Sequence, residues 1–342
     1  MALLSKAEQS YIQQALLADS PQRIDGRDLT DYRNIALETG VAPLANGSAR
    51  VNIGRQRDGG GGTEVVAAIK LEVEDASDRD EDGVDEAEVE GRIIGAVSCS
   101  PAAYPHLSSN AVDDLQHDLT AVLHSVLAHP TLRPKNLTIV PGKKAWAVHL
   151  DVVVYSDAGN VCDAIFMAAR AALWDTKVPK TRSVEYRALG RKGDREDDAM
   201  EVDDGVQKSG LDTRTKRSVS TKADFELTDY WDEGESLDGR EAWPVCVTLN
   251  ILPSVHFLDA TLKEEISVPL RLHAMFSFSA GGKASLRSSR LIGMQTTDMK
   301  TMNSLLQEGQ KYAQNIWNAL ESKLVAEDTR RNHEARERFQ NR

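Results

Sequence analysis

Several groups of residues in this 342-residue chain have types and spacings that invite a chemical reading. Gly59–Gly62, four consecutive glycines, has the composition of a phosphate cradle. Such cradles work because a helix N-terminus follows and aims its N–H groups at the anion. Here the strand-like run Thr63–Val73 follows, so a flexible insertion is the better reading. Pro141-Gly142-Lys143-Lys144 approaches a P-loop, but Leu137 stands where the first glycine belongs and Lys144 where Ser or Thr belongs. His117 and His124 lie two turns apart on one expected helix, with His129 beyond, yet zinc needs three or four ligands and the sequence places no third. No Gly-x-Ser-x-Gly and no Cys-His pairing stands out for nucleophilic catalysis. Asn160-Val161-Cys162, with Asp163 next, opens a helix after the turn Asp157-Ala158-Gly159-Asn160, and its plain reading is a capped packing helix. Arg23-Ile24-Asp25-Gly26-Arg27 reads as a turn carrying two cations around one acid.

The elements that must position these residues belong to a globular chain. It carries 41 Lys+Arg and 53 Asp+Glu, a formal charge of −12, with 41% hydrophobic residues. That length and composition suit one large domain or two ordinary ones with a real core. No apolar run approaches the roughly 18 residues of a membrane span, and no signal peptide is visible at Met1–Lys6. Three cysteines without metal spacing (Cys99, Cys162, Cys246) point to a reducing compartment and small core thiols. Membrane, secreted and disulfide-scaffold classes are excluded on this reading. The acidity is local. Glu72–Glu90 holds eleven acids and one base, leaving the remainder at −2, so a nucleic-acid-facing surface is neither demanded nor excluded.

A capping box at Ser5-Lys6-Ala7-Glu8 starts the first helix, which Pro21 ends. Strands are expected at Arg33–Glu38, Ser48–Ile53, Thr63–Val73 and Ile93–Ser98. Asn110 is the expected cap of a second helix, with Asp113 and Asp114 in its first turn and Val112, Leu115, Leu119, Val122, Leu123 and Val126 on its buried face. A long apolar strand, Ala145–Tyr155, leads to the third helix, capped by Asn160 and rich in small residues that let it lie against a sheet. Strands return at Val245–Leu252, Arg271–Phe278 and Lys283–Ile292, and a last helix runs from about Thr297. Three stretches fit no element: Gln56–Gly62, the acidic interval 72–91, and a charged interval at 187–224 with the composition of a disordered loop. The class is α+β. The chain divides into an N-terminal helix (1–22), a first half (23–186), the charged insertion (187–224), a second half with its C-terminal helix (225–327) and a charged tail (328–342).

Arg23-Ile24-Asp25-Gly26-Arg27, Tyr32-Arg33 and Ala45-Asn46-Gly47-Ser48-Ala49-Arg50-Val51 leading to Gly54 together resemble the opening of the RNase PH family. The similarity continues through Trp146–Tyr155, the Gly159–Ala164 turn and helix, Ala171-Ala172-Leu173 and Thr176-Lys177-Val178-Pro179. The wording is most similar to a branch of exosome ring subunits related to the non-catalytic partner of the archaeal complex. The resemblance implies an RNase PH-type fold (ribosomal protein S5 domain 2-like) of two similar β/α halves. Arg23, Asp25, Gly26, Arg27, Gly47 and Ser48 then carry family structure, with Arg23, Asp25 and Arg27 forming folding or interface ion pairs.

Three positions bear on activity. Phosphorolytic relatives grip phosphate with Thr-Arg-Thr at the helix start, where this chain has Asn160-Val161-Cys162 and where Asp163 adds a charge expected to repel phosphate. Relatives place an Asp catalyst where Pro269-Leu270-Arg271-Leu272 stands, although Asp259, Glu264 and Glu265 lie upstream. Active subunits carry paired arginines before the second helix, whereas no Lys or Arg occurs between Arg92 and Arg133. The resemblance therefore implies a non-catalytic structural subunit of the RNA exosome ring, without cofactor or metal, supporting 3′-to-5′ processing and turnover. Its expected partners are other RNase PH-type ring subunits, S1/KH cap subunits, a hydrolytic exonuclease reached through the ring, and single-stranded RNA in the channel. Nucleus, nucleolus and cytoplasm are the expected compartments. The competing reading is an active phosphorolytic exoribonuclease, its anion site rebuilt from Lys143, Lys144 or Arg271.

Overall fold

The computed structural model describes residues 4–55, 61–75, 91–186, 222–227, 234–279, 281–293 and 295–340. In chain order the elements are α1 (Lys6–Leu17), β1 (Ile35–Thr39), β2 (Gly47–Ile53), β3 (Thr63–Asp75), β4 (Arg92–Cys99), α2 (Ser109–Leu127), β5 (Thr138–Val140) and β6 (Lys144–Ser156). There follow α3 (Val161–Asp175), β7 (Lys177–Val178), β8 (Thr181–Tyr186), β9 (Lys222–Leu227), β10 (Glu235–Ser236), β11 (Val245–Ile251) and β12 (His256–Phe257). The chain closes with α4 (Leu262–Ser267), β13 (Leu270–Phe278), β14 (Ala284–Gly293) and α5 (Met299–Gln340).

Two sheets carry the fold. The first runs β1-β2-β3-β6-β4, with β5 also on β6, and the second runs β12-β11-β13-β14. Neighbouring strands are antiparallel except β4 and β6, which are parallel because α2 crosses between them. Helix α3 lies between the sheets, against β2 and β3 on one side and β11 on the other. Every residue from Cys162 to Trp174 is buried, and Ala164, Ala168, Ala169 and Ala172 permit the close approach on both sides. Its other end is fixed by a bare backbone: a Cβ on Gly47 would come within 2.4 Å of Thr176 Oγ1 and 2.7 Å of the Ala172 carbonyl.

Helix α1 docks on the second half rather than the first. Ile12 and Leu16 pack with Leu252, Phe257 and Ala260, and Gln13 Nε2 donates to the Ser267 carbonyl at 2.6 Å. Burying two such aliphatic side chains contributes about 1.5–3 kcal/mol each. The Ser5–Glu8 capping box forms as expected.

Several boundaries differ from the sequence reading. The cap of α2 is Ser108, two residues before Asn110, because Ser108 Oγ accepts from Ala111 N–H and starts the turn earlier. Strand β3 continues through Asp75, so the first four residues of the acidic interval pair with β6 down to Lys144. Strand β9 begins at Lys222 and pairs with β8, which places residues 222–224 of the charged interval in a hairpin ladder. The tail continues α5, anchored by Asp328, which accepts from Trp174 Nε1 at 2.9 Å and Arg240 at 3.2 Å, and by Arg331 on Asp175. Residues 56–60, 76–90 and 187–221, the bulk of the three expected insertions, lie outside the described residues.

Candidate functional site

The site is the turn from β6 into α3 and what surrounds the start of that helix. Gly159 has φ +97° and Asn160 φ 62°. A Cβ on Gly159 would sit 2.4 Å from the Ala260 carbonyl oxygen, so the turn touches the second half directly. Thr63 Oγ1 donates to the Gly159 carbonyl at 2.6 Å and accepts from Ala158 N–H at 3.0 Å, which ties the turn to β3. Asn160 holds the cap position but its side chain does not cap the helix. Its Nδ2 instead donates to Asp259 Oδ1 at 3.0 Å, and its backbone N–H donates to Glu265 Oε2 at 3.2 Å. Two of the chain's own carboxylates thus take up the positive end of α3, where an external anion would otherwise be favoured.

Asp163 is not a phosphate-repelling surface charge. It is fully buried, accepting from Tyr32 Oη at 3.1 Å and Thr248 Oγ1 at 2.8 Å. Burial, with the neighbouring Cys162, pushes its carboxyl up to about 7. Val161 packs against the main core and Cys162 is buried.

Behind the turn lies a cluster that joins the N-terminal segment to the second half. Arg23, 5% exposed, pairs with both oxygens of Glu264 at 3.0 and 2.7 Å and donates to the Leu258 and Asp259 carbonyls. Arg27 bridges Asp25 and Asp259 at 2.7 and 2.9 Å. Arg33 grips Asp259 through Nε and Nη2 at 2.9 and 2.7 Å and donates to the Ala158 and Gly159 carbonyls. Asp259 is fully buried at φ 45°, and its Oδ2 also accepts from Arg33 N–H at 2.6 Å. Burial alone would raise this carboxyl, but the bonds and charge of Arg33 and Arg27 outweigh it and hold Asp259 below the usual carboxylate range. Gly26, at φ +75°, lets the chain turn between Asp25 and Arg27. Glu265 is engaged by Arg271 as well as by Asn160 N–H. Asp259, Glu264 and Glu265 are therefore all tied to arginines, and Leu270 is buried at the start of β13.

Residues 31–179 match the family described as "3′ exoribonuclease family, domain 1", RNase_PH. Over those residues, fewer than half of the chain, it is similar to the RNase PH family. A Dictyostelium discoideum protein named "Putative exosome complex exonuclease RRP42" is 25% identical over 95% of this chain and 98% of its own length. The "Exosome complex component Rrp42" of Sulfurisphaera tokodaii is 35% identical over 46% of this chain, a match that spans only 53% of the archaeal protein. Among solved structures, "Archaeal exosome core" superposes with TM-score 0.60 at 20% identity over 92% of this chain and 96% of that one. The "archaeoglobus fulgidus exosome with RNA bound to the active site" gives 0.61 at 21% over 93% and 97%. At those identities the structures establish the fold, an RNase PH-type α+β architecture over nearly the whole chain.

Within that fold the residues singled out from sequence separate into two places. Arg23, Asp25, Gly26, Arg27, Asn160, Val161 and Cys162 gather at the N-terminal end of α3. Gly47 and Ser48 sit at its other end, about 20 Å away along a 15-residue helix. There the Ser48 N–H donates to Asp175 and Ser48 Oγ accepts from the Ala42 N–H. Lys144 lies at the far end of β6, 13 residues long, paired with Asp75 and Asp224. Lys143 is beside it, so neither lysine can rebuild an anion site at α3; Arg271 is close enough, but Glu265 holds it. His124 Nδ1 accepts from Gly95 N–H and His129 caps a short turn, while His117 is exposed. The three do not converge, and no group of three metal-ligating side chains occurs among the described residues. Asp113 and Asp114 are exposed but lie in the second turn of α2, not the expected first, because the helix starts at Ser109, and Arg290 of β14 reaches that helix at Asp118. Arg33, Asp259 and Glu264 are the site residues that sequence reasoning left without a role. Only the Tyr32-Arg33 pair carried a local signal, because the partners lie more than 220 residues apart.

Proposed function

We propose that this chain is a non-catalytic structural subunit of an RNA exosome ring. The observation that carries the reading is the start of α3. Where phosphorolytic relatives are expected to hold inorganic phosphate, Asn160 donates its side chain to Asp259 and its N–H to Glu265. A phosphate brought there meets two carboxylates instead of a free guanidinium, and Asp259, Glu264 and Glu265, the carboxyls upstream of β13, are each bound by arginine. The names of the Dictyostelium and archaeal relatives support the exosome assignment.

The same reading gives the subunit its partners: the other RNase PH-type chains of the ring, S1/KH cap subunits, single-stranded RNA in the channel and a hydrolytic exonuclease served by it. It places the protein in nucleus, nucleolus and cytoplasm. The test is phosphorolysis. Purified chain incubated with single-stranded RNA and inorganic phosphate is expected to release no nucleoside diphosphate above a no-protein control. Release that scales with enzyme and disappears in Glu265→Gln or Asp259→Asn, folded variants of the same preparation, overturns the reading.

A further inference from the structure

Two thiols from different halves of the chain meet in the core. Cys162 lies in the first turn of α3 and Cys246 on β11, with one sulfur 3.7 Å from the other. The register of the second sheet explains the meeting. Thr248 stands opposite His273 and Cys246 opposite Met275, so these four side chains share one face of the sheet. That face is turned to α3, because Thr248 Oγ1 donates to Asp163 at 2.8 Å. His273, on the same face, is close enough for its charge to act on the Cys162 sulfur. The third cysteine, Cys99, is buried on β4 and pairs with neither.

The two sulfurs are chemically unequal. The bond from Cys246, the neighbouring His273 and the position in the first helical turn favour the thiolate at Cys162, despite burial that opposes it. Burial and the adjacent sulfur hold Cys246 above the usual thiol range. A thiolate beside a protonated thiol is the arrangement in which one sulfur is oxidised and the other resolves it. Closing from contact to a disulfide needs an approach of about 1.7 Å, within reach of side-chain rotation in two facing elements.

We propose that Cys162 and Cys246 are a hydroperoxide-responsive dithiol whose oxidation ties α3 to the second sheet. The Cys162 thiolate attacks one oxygen of hydrogen peroxide and the O–O bond breaks. The departing hydroxide takes the proton of the His273 imidazolium and leaves as water, with Cys162 now a sulfenic acid. The Cys246 sulfur then attacks the Cys162 sulfur; the S–S bond forms, the S–O bond breaks, and the thiol proton leaves with the hydroxide as a second water. The sulfurs give up two electrons between them, which reduce one peroxide.

The test uses the full chain without substitution. Purified protein is treated with hydrogen peroxide at pH 7, blocked with N-ethylmaleimide, digested without reductant and mapped by mass spectrometry. The expected product is a Cys162–Cys246 cross-linked peptide with Cys99 still alkylated. In the folded protein Cys162 should be oxidised about tenfold faster than Cys99, which is equally buried at 5% exposure but whose thiol burial pushes up to about 11. In Cys246→Ser the sulfenic acid should persist at Cys162 and be trapped by dimedone. Oxidation of Cys162 no faster than that of Cys99 overturns the proposal, as does a linkage through Cys99 or between two chains.

Discussion

Replacing Asp259 with alanine removes the carboxylate on which the cluster converges. Its oxygens accept from Arg27, from Arg33 through side chain and backbone, and from Asn160. The side chains of Arg27 and Arg33 are only 14% and 11% exposed, so the substitution takes the carboxylate from Arg33 and leaves Arg27 with Asp25 alone, with little water to take over. Breaking a buried pair in this way costs about 3–5 kcal/mol. At about 2 °C per kcal/mol for a large domain, the melting temperature should fall by about 6–10 °C. The loss should depend on pH with a definite sign. Asp259 sits below its ordinary carboxylate range when folded, so its stabilisation is full above the unfolded pKa, near 3.9, and fades as pH falls through the lower folded value. Urea denaturation of wild type and Asp259→Ala at pH 7 and at intervals below pH 4 measures both. A loss under about 1 kcal/mol at pH 7, or a gap between the two proteins that stays constant down to pH 2, refutes the reasoning.

Other consequences are separately measurable. Asp163 is raised to about 7, so between its unfolded pKa and 7 the folded state holds the extra proton and stability should decline as pH rises; Asp163→Asn should flatten that slope in denaturation curves from pH 4 to 7. A chain ending at Glu327 loses Asp328 and Arg331 from the α5 anchor and should be less stable by about 2 kcal/mol, whereas one ending at Asn332 should not, as differential scanning fluorimetry will show. Gly159→Ala places a Cβ against the Ala260 carbonyl at positive φ and should cost about 1–3 kcal/mol in the same assay.

The long strands and the helices α1, α2, α3 and α5 were legible because each buries one face, and burial writes a period into the sequence. Strand β6, expected at Ala145–Tyr155, is found at Lys144–Ser156, and β11, expected at Val245–Leu252, at Val245–Ile251. The two-residue strands β7, β10 and β12 and the six-residue α4 are too short to show any period. The site was legible in part. The Arg23–Arg27 segment stood out through its resemblance, but its acceptors at 259 and 264 are brought to it by tertiary folding alone. Asp163 and Asn160 were misjudged for one reason: local rules assign a polar residue at a helix start to capping or solvent. Here both are turned into the junction between the halves, where Tyr32, Thr248 and Asp259 supply their partners.

The mass and composition of the native complex built around this chain bear most directly on its proposed role in a ring. Native mass spectrometry of the assembly purified through a tag on the chain, under conditions that keep it intact, should give one copy of it with several different RNase PH-type chains in fixed stoichiometry. A chain recovered as a stable monomer, or as an oligomer of itself alone, contradicts the account.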